Sequence, residues 1–229
     1  MNDGAVRVVA VNGGLSEPSS TRMLIDRMVA AVTDALGGRG VAADVEVLDL
    51  RDLAVELGRS MAVGFASGEA RAALDAVESA DALVVASPVF NASYSGLFKM
   101  FFDLVDVDAM AGKPVLIAAT GGSPRHSMVL DHALRPLFSY LRTLVVPTGV
   151  YAASEDWAGT ESADDGGLNR RIDRAATELA GLVRPRGSSR GEPGPQPLVD
   201  EPRDPGPDVR QQTIEAAGIA NFARLLGPS

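Results

Sequence analysis

SPVFNASYSGLFKMFFD, residues 87–103, decides how this chain reads. The residues just before it, 82–86 (ALVVA), are uniformly apolar, the composition of a parallel strand buried on both faces. Beyond it Leu97, Phe98, Phe101 and Phe102 recur at helical spacing, so a strand opens into a loop and the loop enters a helix. In an open α/β sheet, ligands bind at the loops that follow the carboxyl ends of strands, because helix N-termini and free backbone groups converge there. Pro88, Val89, Phe90, Asn91, Ser93 and Tyr94 combine apolar walls with hydroxyl and backbone groups, which a flat heteroaromatic ligand needs for its faces and its edge. The same residues have an ordinary explanation: Pro88 ends the strand, Ser93 or Ser95 caps the helix, and Tyr94 packs helix on sheet.

Apolar runs at residues 6–11, 45–48, 114–119 and 144–151 join 82–86 as strands. Between them lie stripes at helical spacing. The first is Leu24, Ile25, Met28, Val29, Val32 and Leu36, closed by Gly37 and Gly38; then come Ala70, Ala73, Leu74 and Val77; then Leu130, Leu134, Leu137 and Leu141; then Leu168, Ile172, Ala175, Leu179 and Val183. Residues 51–67 are less periodic and read as a short helix with an excursion over the sheet edge. Alternating βα units predict an α/β three-layer sandwich, a five-stranded parallel sheet with helices on both faces; in the flavodoxin-like version of that arrangement the strand order is 2-1-3-4-5.

The 229 residues, 46% of them hydrophobic, suffice for one full core, expected over residues 1–184. Half of the 14 prolines fall between Pro185 and Pro207, so residues 185–212 read as a Pro/Gly-rich flexible linker and residues 213–229 as a short helical tail. Cysteine is absent, which removes disulfides, thiolate metal sites and a cysteine nucleophile. A net charge of −9 opposes a nucleic-acid partner, and no apolar run reaches membrane-spanning length. The N-terminus lacks the pattern of an export signal, so a cytoplasmic protein is expected.

Two further loops carry candidate chemistry. After the first strand, Gly13 and Gly14 permit tight turns, and Ser16, Ser19, Ser20 and Thr21 place hydroxyls beside the first amides of a helix, an arrangement that accepts a phosphate monoester as readily as it caps a helix. The segment is neither GxxxxGK[ST] nor GxGxxG, which disfavours a nucleotide triphosphatase and a dinucleotide fold. After the fourth strand, ATGGSPRH presents Thr120, Gly121, Gly122 and Ser123 at a helix start, with His126 the histidine better placed to line a site. Its amides suit an anion, and in a reduced flavin the negative charge gathers near N1 and C2=O. A hydrolase built on Ser123 and His126 lacks GxSxG and a base from another element, since His132 follows Asp131 on the same predicted helix. Asp103, Asp106 and Asp108 read as a solvated helix end, so no metal site is expected.

In strand order 2-1-3-4-5 the loops after the first and third strands flank the switch point, so a phosphate site and a flat-ring site become neighbours, with ATGGS beside them. FMN answers to that set better than three unrelated caps.

GGLSEPSSTRML, ASPVFNASYSGLFKMFFDLVD and ATGGSPRHSMVLDHALRPLFSYLRTLVVPTGVYA together resemble NAD(P)H-dependent FMN reductases of the flavodoxin-like superfamily, in particular the actinobacterial branch associated with luciferase-like monooxygenases and the reductases of two-component alkanesulfonate monooxygenases. SEDW at residues 154–157 resembles the actinobacterial branch as well, and the likeness spans about residues 5–183. The resemblance implies that Ser16, Ser19 and Thr21 hold the FMN phosphate, that Pro88, Val89, Phe90, Asn91, Ser93 and Tyr94 line the ring, and that Thr120, Gly121, Gly122 and Ser123 touch its pyrimidine side. It also implies hydride transfer from NADPH or NADH by stacked rings without a catalytic acid or base, a partner flavin-dependent monooxygenase, a homodimer or homotetramer, and a Tyr94 lying in a helix distortion at a tetramer interface. Glu17 and Pro18 depart from the basic residue that many relatives carry near the phosphate. A quinone or azo-compound reductase with tightly bound FMN, and a non-catalytic FMN-binding electron carrier, are the alternatives, since fold analogy does not separate them.

Overall fold

Strands β1 (Val6–Asn12), β2 (Ala43–Asp49) and β3 (Ala82–Phe90) lie side by side in parallel, with β1 between the other two. The computed structural model describes residues 5–157 and 167–184; the segments 185–212 and 213–229, read above as linker and tail, lie outside the described residues. A short β4 (Ser93–Tyr94) folds back on the end of β3. β5 (Pro114–Gly121) joins β3 on the side away from β1, and β6 (Leu144–Val145) and β7 (Val150–Ala153) share the outer edge of β5, giving the order β2-β1-β3-β5-β6. Apart from β4 these pairings are parallel, so the expected flavodoxin-like order holds.

Side-chain alternation divides the core between the two faces of the sheet. Val8, Ala10, Val84, Ala86, Leu116 and Ala118 meet α1 (Ser20–Gly37) and α7 (Leu168–Leu182). Val9, Val11, Leu83, Val85, Val115 and Ile117 meet α2 (Ala54–Val63), α3 (Gly68–Ser79), α4 (Gly96–Phe102), α5 (Val107–Met110) and α6 (Arg135–Tyr140). Because each interior strand is buried on both faces, its sequence is a continuous apolar run. Phe98, Phe101 and Phe102 belong to the core on the α2–α6 face, with Phe102 4.9 Å from Phe138 between ring centres.

The structure corrects several expectations. The single fifth strand over residues 144–151 is two short strands. The stretch from Val145 to Val150 is two residues longer than the stretch of β5 from Val115 to Ala118 that it faces, and Pro147 within it has no N–H to donate to a ladder. The stripe Leu130, Leu134, Leu137 and Leu141 is not one α-helix: a 3₁₀ turn at Pro124–Met128 leads into a π turn at Leu130–Leu134 before α6 begins. Pro136 cannot donate to the His132 carbonyl four residues back, and the Arg135 N–H instead reaches Leu130, which widens the turn. Tyr94 is not in a helix distortion. It lies in β4, which packs against that π turn.

A last correction concerns the ring loop. β3 does not end at Ala86 but runs on through Ser87 and Pro88 to Phe90, and a two-residue turn at Asn91 and Ala92 returns the chain antiparallel as β4, with Val89 opposite Tyr94 and Phe90 opposite Ser93. Asn91 and Ala92 have φ of 47° and 65°, the left-handed pair that suits a tight hairpin on twisted strands. Pro88 is tolerated because β1 stops opposite Ala86, leaving that side of β3 without a ladder to supply.

Candidate functional site

The three loops meet through side-chain hydroxyls. Thr21 Oγ1, at the start of α1, lies 2.7 Å from Thr120 Oγ1 at the end of β5, and both residues are buried. Ser95, fully buried at the head of α4, donates from Oγ to the Gly13 carbonyl (3.3 Å), while its N–H donates to Ser87 Oγ (2.9 Å). The loop after β1 is therefore tied to the loops after β3 and β5 at the carboxyl ends of all three strands.

Local chemistry shapes each wall. Asn12 ends β1 with its carboxamide buried: Nδ2 donates to Asp49 (2.6 Å) and Oδ1 accepts from the Gly14 N–H (3.0 Å), a local turn that folds the chain back. A Cβ on Gly14 would come within 2.3 Å of Ser19 Oγ, so a larger residue there would displace the Ser19 hydroxyl. Ser19 caps α1 by accepting from the Arg22 N–H (3.2 Å), which leaves the exposed hydroxyls of Ser16 and Ser20 and the first amides of an 18-residue helix at this end of the sheet. Ser95, rather than Ser93, caps α4, accepting from the Phe98 N–H. The Thr21 hydroxyl already shares a hydrogen bond with Thr120, as that of Ser19 does with the Arg22 N–H; each keeps capacity for a further partner, and Thr21 adds its backbone N–H in the first turn of α1.

In the hairpin, alternation parts the residues. Val89 and Tyr94 pack onto the core beneath, with the Tyr94 ring 5.8 Å from Phe98, as the packing explanation of Tyr94 requires. Pro88 is half-buried, and Phe90, 46% exposed, stands with Asn91 at the tip. The third loop is held from below. Tyr151, buried on β7, donates from its hydroxyl to the Ser123 carbonyl (2.7 Å), and burial, followed by the charge of Asp156, raises its pKa. A Cβ on Gly121 would meet that hydroxyl at 2.3 Å, whereas one on Gly122 would meet nothing within 4 Å. Gly121 thus faces the protein and Gly122 open space. His126 is exposed on the 3₁₀ turn that Ser123 caps.

Charge near the Ser-rich loop is arranged in pairs. Arg22 binds both Asp26 (2.9 Å) and Asp49, and these partners, the hydrogen bond to Asp26 foremost, raise its pKa. Arg51, from the turn after β2, reaches Glu17 at 2.9 Å, and that hydrogen bond likewise raises its pKa. No hydrolytic relay forms around Ser123: Asp131 is bound by Arg135 (3.0 Å), and Ser123 Oγ accepts from the Arg125 N–H. Among the described residues no group of three or more His, Cys, Asp or Glu could hold a metal, and no helix is long and apolar enough to cross a membrane. A cleft beside β2 is lined by Glu46, Asp49, Asp52 and Glu69, a wall that repels an anionic ligand.

Sequence reasoning missed Asn12, Asp49 and Tyr151. The asparagine directly before two glycines at a strand end was a readable turn signal; nothing local marks Tyr151.

The model of the NADPH-dependent FMN reductase family matches residues 6–158. The chain is similar to an FMN reductase (NADPH) from Pseudomonas aeruginosa, 44% identical over 176 residues covering 77% of this chain and 91% of that protein. It is also similar to the NADH-dependent FMN reductase SfnF of Pseudomonas fluorescens, 41% identical over 177 residues with the same two coverages. Among solved structures, an oxidoreductase from Corynebacterium diphtheriae superposes with a TM-score of 0.74 at 48% identity, covering 78% of this chain and 97% of that one. An NADH:FMN oxidoreductase in its apo form superposes with a TM-score of 0.65 at 30% identity, covering 86% and 100%.

Proposed function

The chain belongs to the NADPH-dependent FMN reductase family, and from that premise we propose that the linked loops at the ends of β1, β3 and β5 are where it holds FMN. The activity is reduction of FMN by NADH or NADPH. The observation that carries the site assignment is the pair of links, Thr21 to Thr120 and Ser95 to Ser87 and Gly13, which draw a phosphate-type loop, an apolar hairpin and an amide-rich loop to one place.

The residues present fit the coenzyme. Ser16, Ser19 and Ser20, with the N–H of Thr21, supply hydroxyls and helix-start amides for a phosphate. Pro88, Phe90 and Asn91, with the backbone of the hairpin, give one wall for a flat ring; Val89, Ser93 and Tyr94 shape that wall from behind or beside it. Gly122 leaves room for close approach, and Thr120, Gly121, Ser123 and His126 border the edge where amides favour negative charge. Bound FMN supplies the ring atom, N5, that accepts a hydride from nicotinamide C4. The protein's own part is orientation: the capped α1 fixes the phosphate end, the hairpin fixes the ring plane, and Tyr151 fixes the loop at its edge. No side chain is required as acid or base.

The exposed serine loop and hairpin tip leave the site open to water, which suits a flavin that departs once reduced. We accordingly propose that reduced FMN is handed to a flavin-dependent monooxygenase, that the protein works in the cytoplasm, and that it self-associates as a homodimer or homotetramer through exposed apolar residues such as Met61, Val63 and Phe65. Fluorescence titration with FMN followed by stopped-flow mixing with NADH and NADPH tests the central reading. Saturable flavin binding and flavin-dependent nicotinamide oxidation are expected, and absence of both refutes it.

A further inference from the structure

The Ser-rich loop carries a carboxylate in its middle. Glu17 sits between Ser16 and Ser19, its side chain 79% exposed, and its carboxylate lies 2.9 Å from Arg51 Nη2. The meeting follows from topology. β1 and β2 are parallel neighbours that end together, Asn12 opposite Asp49, so the loop after one emerges beside the turn after the other. Arg22 and Arg51 stand near this loop. Arg22 is bound by two carboxylates, Asp26 and Asp49, and the second of these is also held by Asn12, so Arg22 is fixed in the framework. Arg51 is different: its close partner is Glu17, a residue of the loop itself, with Asp52 more distant at 3.9 Å.

A guanidinium that can pair with a carboxylate can pair with a phosphate through the same planar fork, and a phosphate dianion is the stronger acceptor. Both side chains are solvated, so exchanging one anion for the other costs little desolvation. From these facts, and resting on the FMN reading above, we infer that Glu17 is a built-in competitor for the flavin phosphate: its carboxylate holds the Arg51 guanidinium when flavin is absent and must yield it when the phosphate arrives. The pair weakens retention of FMN without touching the ring site. It gives the loop a means of releasing flavin that acts on the phosphate alone, and riboflavin, which lacks that group, does not feel it.

The test is titration of the full chain with FMN and with riboflavin, for the wild type, Glu17→Gln, Arg51→Gln and the double variant, at low and moderate ionic strength. Glu17→Gln is expected to lower the Kd for FMN by about three- to tenfold at low salt, the size of one exposed charge acting a few ångströms from a phosphate, and to leave riboflavin unchanged. Arg51→Gln raises the Kd for FMN, and without Arg51 the gain from Glu17→Gln falls below half its size. The inference is overturned if Glu17→Gln leaves FMN affinity unchanged, shifts riboflavin by the same factor, or keeps its full gain in the Arg51→Gln background. A wild-type chain that binds neither flavin, or binds riboflavin as tightly as FMN, overturns the phosphate assignment itself and this inference with it. That result is read before any variant is made.

Discussion

Replacing Gly121 with alanine tests how the third loop is held. The added Cβ would lie 2.3 Å from the Tyr151 hydroxyl oxygen and 3.4 Å from Cζ, so the hydroxyl is the clash and the ring is in ordinary contact. To make room, Tyr151 must give up its 2.7 Å bond to the Ser123 carbonyl and shift within a packed core, a combined cost of about 2–3 kcal/mol. Tyr151→Phe removes only the hydrogen bond. Because the Ser123 carbonyl keeps the His126 N–H as donor at 3.1 Å, that loss is about 1 kcal/mol. In the double variant the clashing atom is gone, so the total is expected near 1 kcal/mol, well below the sum of the singles, with a coupling of about 2 kcal/mol. Equilibrium unfolding in urea of the four proteins measures each value. Additive losses would show that the alanine acts on something other than Tyr151 and would refute the account of the loop's support.

Ala92, at φ 65°, carries a side chain in a conformation that glycine adopts freely, so Ala92→Gly is expected to stabilise the hairpin by about 0.5–1 kcal/mol in thermal or chemical denaturation. Thr21→Val and Thr120→Val should each destabilise by about 1–3 kcal/mol, since each strands the other's buried hydroxyl, while the double valine variant recovers most of that loss; a double variant as poor as the sum contradicts the pairing. Lys113, buried between β5 and the end of α3, donates to the carbonyls of Val77 and Glu78, and burial pushes its pKa down to about 8. Between about pH 8 and pH 10.5 the unfolded chain keeps a proton that the folded chain has released, so stability rises with pH across that window, by up to about 3 kcal/mol. Urea unfolding at several pH values should show this rise in the wild type and lose it in Lys113→Met; equal slopes in both proteins would exclude Lys113 as the source.

Much of the architecture was legible because it is written in local, periodic form. β1, β3 and β5 are apolar over residues 8–11, 82–86 and 114–119, since both faces are covered there, and the stripe from Leu24 to Leu36 returns as the buried face of α1. The places where reading failed share a cause. The hairpin at Asn91 and Ala92 uses alanine where glycine would have announced the turn, and the π turn at Leu130–Leu134 preserves a leucine stripe that an α-helix would show equally well. The run from Leu144 to Tyr151 was not distinguishable as two strands because apolar residues stand on both sides of Pro147, and the break is visible only against β5.

The order of apolar runs and stripes alone determined a parallel sheet with helices on both faces, and the placing of serines and glycines after β1 and β5 marked where a ligand would be sought. Only the tertiary structure decided how those places are joined: the Thr21 hydroxyl on that of Thr120, 99 residues away, Tyr151 beneath Gly121, and Arg51 on Glu17. Periodicity records which side of an element is buried, because burial repeats with each turn or each second residue. A hydrogen bond between two side chains far apart in the chain repeats nowhere; it exists only once strand register and loop path have set the two atoms within reach.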